Sequence, residues 1–156
     1  MVFTRLRQPA SLPVAIFILL IFVCFGLADA QQEPMVPYEL EGHEGPINSV
    51  SYTPNGVHVL TASSDMTIRL WESLSGKEIR VLSGHTGQVT SLAVDPSGRM
   101  AFSGASDNTI RLWDLPKPDP LLELAAGKGL LRAVGMSPDN SLLLTGGDDK
   151  IVRVWT

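Results

Sequence analysis

Two sets of side chains in this sequence combine an imidazole, a hydroxyl and a carboxylate, the functional groups of a hydrolase triad. The two sets are His43, Thr61 and Asp65, followed by His85, Ser103 and Asp107. Each residue of the second set lies 42 residues after its counterpart in the first. An active site does not recur at a fixed period, and a triad is identified by geometry and roles rather than by composition. We therefore expect a structural role for these residues and no catalytic activity of the chain's own.

The spacing of 42 residues extends through the rest of the chain. It separates the only three tryptophans, Trp71, Trp113 and Trp155. When residues 42–71 are aligned with residues 84–113 without a gap, 13 of 30 positions are identical. Self-similarity at such a period is typical of tandem copies of one supersecondary unit. The repeats predicted from this spacing are about 42–83, 84–125 and 126–156.

Short runs of strand-forming residues, separated by turn residues, fill each repeat. In the first repeat we predict strands at residues 47–52, 57–61, 67–71 and 78–82, because these runs are rich in Val, Ile, Leu and Thr. The turns contain proline, which presets φ, followed by glycine or asparagine, which accepts a positive φ. The sequence therefore predicts an all-β fold with four strands per repeat.

A combination of motifs in the repeats resembles the WD-repeat β-propeller family. The motifs are a Gly-His pair, a Pro-x-Gly turn, an Asp six residues before a Trp, and a Thr-Ile-Arg-Leu-Trp strand. Trp113-Asp114 is the dipeptide for which the family is named. The resemblance covers about residues 36–156 and implies a partial propeller over residues 38–156. Its three blades would be four-stranded and antiparallel, and the last would lack its outer strand.

The same resemblance implies a hydrogen-bonded relay in each blade, running from an indole N–H through a hydroxyl and an imidazole to a carboxylate. The positions that match it are His43, Thr61, Asp65, Trp71, His85, Ser103, Asp107, Trp113, Thr145, Asp149 and Trp155. Buried polar groups that bond to one another in this way avoid the cost of burial without partners. In the third repeat Gly127 occupies the histidine position, so we expect an incomplete relay there. The third blade would then be the least stable of the three, or its loop would serve another function.

The first thirty residues have the pattern of an export signal. Arg5 and Arg7 form a basic start, an uncharged apolar stretch runs from Val14 to Ala28, and Ala28-Asp29-Ala30 has small residues where a signal peptidase requires them. We expect a cleaved signal peptide at residues 1–30, formed as a hydrophobic helix. The mature protein would then be exported, either secreted or periplasmic.

Two alternatives use the same segment. An uncleaved signal anchor would need residues 9–28, a length that nearly spans a bilayer. A lipoprotein would use Cys24, but the large residues before it do not fit that motif. Residues 31–37 are polar with two prolines and suit a linker. Membrane association is expected only through residues 9–28 and only if the signal is uncleaved.

Composition and spacing exclude several classes of function. A net charge of −4 gives no electrostatic footprint for nucleic acid. Two of the three histidines, His43 and His85, belong to the relay positions of different repeats, so a three-histidine metal site is not expected. The glycine-rich segment 126–129 lacks the spacing and the hydroxyl of a phosphate-binding loop. We expect no cofactor.

These observations favour a scaffold that mediates protein–protein interaction by holding a protein or peptide on loops at one propeller face. The candidate contact residues are Glu44, Pro46, Ser64, Thr86, Gln88, Ser106, Lys128, Leu130 and Asp148. They differ between repeats while the framework residues stay the same, as expected of a presenting surface. The alternatives are an accessory domain of an enzyme and a fragment of a longer propeller without independent function.

Three blades are too few for a closed propeller, which usually has four to eight. In one explanation an outer strand, predicted at about residues 35–40, precedes the first blade. Two copies would then associate head to tail, and this strand of each would complete the third blade of the other in a six-bladed ring. In the other, the chain is part of a longer propeller. The end of the sequence one residue after Trp155 favours the second explanation.

Overall fold

The computed structural model describes residues 39–156 of the chain. The predicted signal segment with its hydrophobic helix, at residues 1–30, and the predicted linker, at residues 31–37, lie outside the described residues. The described residues form eleven β-strands and contain no helix. Accordingly, they include no helix of the length and apolar character needed to cross a membrane.

The strands form three antiparallel sheets, one for each predicted repeat, which confirms the all-β prediction. Sheet 1 contains β1 (Ile47–Tyr52), β2 (His58–Ser63), β3 (Ile68–Glu72) and β4 (Glu78–Leu82). Sheet 2 contains β5 (Val89–Val94), β6 (Met100–Ala105), β7 (Thr109–Asp114) and β8 (Pro120–Ala125). Sheet 3 has three strands in the order β11 (Val152–Trp155), β10 (Leu143–Gly147) and β9 (Leu131–Met136). Strand β2 runs two residues beyond its predicted end, because pairing resumes past a bulge where Ile47 faces Ser63.

The first hairpin turn of each sheet forms where the proline-containing motifs predict it. In sheet 1, Gly56 has a φ of 70° and its N–H donates to Thr53 O at 2.8 Å. In sheet 2, Gly98 has a φ of 73° and donates to Asp95 O at 2.9 Å. Asn140 takes the same left-handed conformation in sheet 3. Residues that accept a positive φ therefore set the register of each hairpin.

Consecutive sheets pack face to face through apolar side chains, so sheet 2 lies between sheets 1 and 3. The first interface contains Leu60, Ala62, Ile68, Leu70 and Leu82 from sheet 1 with Val89, Leu92, Ala101, Trp113 and Leu115 from the second repeat. The second interface contains Phe102, Ile110 and Leu124 from sheet 2 with Leu131, Val134, Met136, Leu143 and Trp155 from sheet 3. Burial of these side chains is the main favourable contribution to the association of the sheets.

Hydrogen bonds at equivalent positions also connect neighbouring sheets. Asn48 Nδ2 on β1 donates to Val89 O at 2.8 Å, and Thr90 Oγ1 on β5 donates to Leu131 O at 2.6 Å. Residues 48 and 90 are one repeat apart, so each first strand contacts the next first strand in the same way. The spacing between sheets is therefore repeated along with the sequence.

On the outer faces of sheets 1 and 3, apolar residues are exposed whose equivalents in the other repeats are buried between two sheets. Ile68 and Ile110 are 0% and 1% exposed, but the equivalent residue of sheet 3, Val152, is 72% exposed. On the opposite side, Val50 of sheet 1 is 67% exposed, whereas its equivalent in sheet 2, Leu92, is 9% exposed. Each outer face thus has the residues of an interface without a neighbouring sheet in the described part of the chain.

We predict that Leu60→Ala lowers the free energy of unfolding by about 2–5 kcal/mol, because it leaves a cavity between sheets 1 and 2. Leu144 is the equivalent residue on the outer face of sheet 3 and is 44% exposed. Leu144→Ala is therefore the matched control, with an expected loss below about 1 kcal/mol. Urea unfolding measures both, and equal losses would contradict an uncovered outer face.

Candidate functional site

In sheet 1 the structure brings the four predicted relay residues into one chain of hydrogen bonds. Trp71 Nε1 donates to Thr61 Oγ1 at 2.8 Å. Thr61 Oγ1 lies 2.7 Å from His43 Nε2, and His43 Nδ1 lies 2.6 Å from Asp65 Oδ2. Because a carboxylate only accepts, Nδ1–H donates to Asp65, and in this tautomer Nε2 accepts the hydrogen of the Thr61 hydroxyl.

Sheet 2 contains the same chain of bonds. Trp113 Nε1 donates to Ser103 Oγ at 2.8 Å, Ser103 Oγ lies 2.7 Å from His85 Nε2, and His85 Nδ1 lies 2.9 Å from Asp107 Oδ2. Serine replaces threonine without a change in the pattern. The imidazole planes are tilted by 59° and 58° to the neighbouring indoles in the two sheets, so the packing repeats as well as the bonding.

Each relay joins four separate parts of a repeat. Thr61 lies on β2, Trp71 on β3, His43 in the segment before β1, and Asp65 in the turn between β2 and β3. The network therefore fixes the segment before the first strand against the turn that follows the second.

The carboxylate has further partners that sequence reasoning missed. Asp65 Oδ1 accepts from the backbone N–H of Thr67 at 2.9 Å and from Thr67 Oγ1 at 2.6 Å, and Asp65 Oδ2 accepts from the N–H of Glu44 at 3.1 Å. Thr109 donates to Asp107 in the same two ways. A threonine two residues after each aspartate was the available signal, and the third repeat has Ile151 there.

The environment of both relays favours an ionised carboxylate, and in sheet 2 it also favours a neutral imidazole. Burial opposes ionisation of Asp65, but hydrogen bonds from Thr67 and His43 outweigh it, so its pKa lies well below the ordinary range. For Asp107 burial is likewise outweighed, by bonds from Thr109 and His85, and the pKa falls to about 2. Burial lowers the pKa of His85, against the opposing effect of Asp107.

The relay geometry suits a structural network rather than a nucleophile. Ser103 is buried, and its oxygen already accepts a hydrogen bond from the indole of Trp113. Thr61 is also buried and has the same kind of partner. A hydrolytic serine or threonine needs access to its substrate, and neither hydroxyl has it. Within residues 39–156, no group of three or more His, Cys, Asp or Glu side chains could hold a metal ion.

Sheet 3 keeps only one bond of the relay. Trp155 Nε1 donates to Thr145 Oγ1 at 2.9 Å, but Gly127 supplies no imidazole. Arg153 takes the aspartate instead, with Nη1 2.7 Å from Asp149 Oδ2. Its guanidinium lies so close to Gly127 that a Cβ there would be 2.6 Å from Nη2. The arginine therefore occupies the region that a side chain at position 127 would enter.

The equivalent arginines of the other sheets have different partners. Arg69 pairs with Glu78 on β4, and Arg111 Nη2 lies 2.5 Å from Glu123 on β8. Both glutamates belong to fourth strands. The described part of sheet 3 has no fourth strand, and Arg153 bonds within its own hairpin.

Five of the predicted contact residues lie around one groove of about 470 Å³ where loops of the three repeats meet. The groove is lined by Ser64, Met66, Thr86, Gly87, Gln88, Ser106 and Leu130. Sequence reasoning missed Met66, because nothing in the sequence indicated that its side chain would face this groove. The groove lies at the end of the sheets formed by the β2–β3 and β6–β7 turns and by the segments before β5 and β9.

The other four predicted contact residues lie outside the groove lining. Glu44 is exposed and donates its backbone N–H to Asp65, and the carbonyl of Pro46 accepts from Ser64 N at 2.9 Å. Lys128 is exposed in the loop before β9. Asp148 forms a two-point ion pair with Arg132, at 2.8 and 3.1 Å. Arg132 was also missed in the sequence.

Comparison with known proteins identifies the repeats. A family model described as "WD domain, G-beta repeat" matches residues 36–72, 76–114 and 120–156. Curated relatives match over about one repeat. The chain is 47% identical over 38 residues to the ribosome biogenesis protein ERB1 of Chaetomium globosum, a match of 24% of this chain and 5% of that protein. It is 44% identical over 41 residues to the Lissencephaly-1 homolog 1 of Paramecium tetraurelia, a match of 26% of this chain and 10% of that protein.

A third relative gives the same picture. An uncharacterised WD repeat-containing protein of Schizosaccharomyces pombe is 41% identical over 46 residues, which is 29% of this chain and 5% of the relative. The chain thus spans a tenth or less of the length of these curated relatives.

We predict that acid destabilises the protein in two stages. Between pH 7 and pH 5 the free energy of unfolding should fall, because the unfolded imidazole binds a proton near pH 6.5 before folded His85 does. A second loss should follow below about pH 4, where unfolded aspartate is protonated while folded Asp107, with a pKa of about 2, remains ionised.

Urea unfolding at pH 5, 6 and 7 tests the first stage. His85→Gln should reduce the dependence on pH, whereas His58→Gln, outside the relay, should preserve it. An unchanged pH dependence in His85→Gln would contradict the assignment. If that variant is too unstable, the wild-type His85 ring can be titrated by NMR, and protonation at or above pH 6.5 would contradict it equally.

Proposed function

The chain belongs to the WD40 repeat family, and from this premise we propose that it is a non-catalytic scaffold that holds a protein or peptide partner. One observation carries the proposal: loop residues that differ between the repeats line a common groove, while the relays beneath them are the same in sheets 1 and 2. A rigid framework that presents variable loops is suited to recognition.

The charge and chemistry of the chain agree with a protein partner. A net charge of −4 disfavours binding to the phosphates of nucleic acid. The groove is open and is lined by hydroxyl, amide and apolar side chains. The alternative is that the chain is an accessory domain of an enzyme, or part of a longer propeller with no independent function.

The three sheets are proposed to be three blades of one propeller. The exposed apolar positions on the outer faces of sheets 1 and 3, such as Val50 and Val152, support the presence of further blades against them. A second copy joined head to tail would supply three, giving a six-bladed ring. A longer polypeptide with more repeats would supply them equally.

The protein is also proposed to be exported, and the sequence pattern of residues 1–30 is the support for this step. Residues 31–37 would then link the signal to the propeller segment at residues 38–156. Cleavage would release a secreted or periplasmic protein. Without cleavage, residues 9–28 would anchor it in the membrane.

One preparation tests both export and association. The full chain is produced in a bacterial host, and the N-terminus of the product is sequenced in each cell fraction. An exported product that begins at Gln31 is expected. Retention of Met1 in the membrane fraction would support the anchor, and an intact chain found only in the cytoplasm would contradict export. Light scattering of the product should then show a dimer if two copies form the ring, and a monomer would contradict that ring.

The scaffold proposal is tested with peptides selected from a random display library against the full chain. Gln88→Arg, which places a charge at the groove, is expected to weaken binding of the selected peptides at least tenfold. Leu74→Arg is the control. Leu74 is 92% exposed and lies in the turn before β4, at the end of sheet 1 opposite to the groove. Failure to select any binding peptide, or equal loss in both variants, would contradict the proposal.

A further inference from the structure

One residue in each β2–β3-type turn has a left-handed backbone. Met66, Asn108 and Lys150 are one repeat apart and have φ values of 70°, 64° and 63°. Asparagine tolerates this conformation well, whereas methionine and lysine are disfavoured there by contact of Cβ with the backbone. Sheet 2 therefore has the residue that suits the turn, and sheets 1 and 3 do not.

The side chain of Met66 lines the groove between the loops and is 46% exposed. Sheet 1 therefore has an exposed apolar side chain at this position, where sheet 2 has Asn108, which is polar and better suited to a positive φ. A disfavoured backbone conformation in a residue whose side chain lines an open groove is a reason to infer a function for that side chain.

A second apolar residue enters the same groove from another repeat. Leu130 precedes β9, and its equivalents in the first two repeats are Pro46 and Gln88. Leu130 thus replaces the polar residue that the second repeat has at Gln88, and Met66 replaces the polar residue that it has at Asn108. The two replacements lie in different repeats, yet both side chains line one groove.

The remaining side chains of the lining are uncharged. Ser64, Thr86 and Ser106 contribute hydroxyls, and Gln88 contributes an amide. The nearby carboxylate of Asp148 is already paired with Arg132. The groove thus offers hydrogen-bond donors and acceptors around an apolar contact but no charge to balance a charged ligand.

We propose that this groove binds an extended peptide segment through one aliphatic side chain, which contacts Met66 and Leu130. The peptide groups on either side of that residue bond to the hydroxyls and to the amide of Gln88. The flexible, polarisable thioether of Met66 adapts to the bound side chain. This proposal rests on the proposed scaffold function and states the chemistry of its partner: uncharged at the contact and aliphatic.

Two variants that remove the same backbone strain distinguish an effect on peptide binding from an effect on stability. Met66→Asn and Lys150→Asn each place asparagine, as in sheet 2, at a positive φ. Both should raise the Tm, by roughly 2–4 °C. Lys150 is outside the groove lining, so only Met66→Asn should affect binding.

The probes are the peptides selected from the display library, labelled and measured by fluorescence anisotropy against the full chain. The selected peptides should share one aliphatic residue, and its replacement by Asp should weaken binding at least tenfold. Met66→Asn should weaken binding at least tenfold, and Lys150→Asn should change it less than twofold. Leu130→Gln, which copies Gln88 of the second repeat, provides a second variant and should also weaken binding.

Peptides that bind Met66→Asn and Leu130→Gln as tightly as the wild type would overturn this proposal. So would selected peptides that share a charged residue and no aliphatic one. If such peptides still lose binding in Gln88→Arg, the scaffold function stands and only the aliphatic contact is wrong. If no peptide binds the folded chain, both proposals fail.

Discussion

The arrangement of each complete repeat depends on one buried hydrogen-bonded network. An indole, a hydroxyl, an imidazole and a carboxylate have few ways to be buried without loss of free energy, and bonding to one another is one of them. In sheets 1 and 2 these groups come from two strands, a turn and the segment before the first strand. Any change in register would leave several buried groups without partners. The network therefore fixes the loops at one end of the strands, and the groove lies at that end.

In sheet 3 the network lacks its imidazole, and the loop before the first strand is held differently. With Gly127 in place of histidine, Asp149 is bound by Arg153, which in the other repeats pairs with a glutamate on the fourth strand. The hairpin is still held, but by an ion pair that is more exposed than the imidazole bond it replaces. The loop from Ala126 to Leu130 is then no longer tied to the turn through a relay, and it adopts positive φ values at Gly127 and Gly129. The third repeat therefore keeps the hairpins of its neighbours, and its loop is held to the turn by the backbone bond from Asp148 N to Leu130 O, at 2.9 Å, without the imidazole.

The sequence was sufficient to predict the strands and the hairpin turns, because these depend on local preferences repeated three times. Strands β1 and β4 lie at their predicted residues, whereas β2 and β3 begin one residue later than predicted and end two residues and one residue later. The pairing of Arg153 with Asp149 could not be predicted, because it depends on the space that Gly127 leaves where the other repeats have a histidine. The groove could not be predicted either, because Met66 and Leu130 come from different repeats and meet only through the packing of the sheets. Family resemblance named the relay positions, and its Thr-Ile-Arg-Leu-Trp motif contains Thr67 and Thr109, but it assigned neither threonine to the carboxylate.

The bonds from Asn48 to Val89 and from Thr90 to Leu131 have a consequence for how the fold comes apart. In the part of the chain that the structure describes, neighbouring sheets are joined through the same bond and the same apolar positions. Stability is then close to a sum of the intrinsic stability of each sheet and a term for each contact between neighbours, as in a one-dimensional array. Among residues 39–156, sheet 2 has two such contacts and a complete relay, whereas sheet 3 has one contact and a single relay bond. Amide protons should accordingly exchange with solvent in a gradient along the chain, with loss of structure starting at the carboxyl-terminal end and proceeding one repeat at a time.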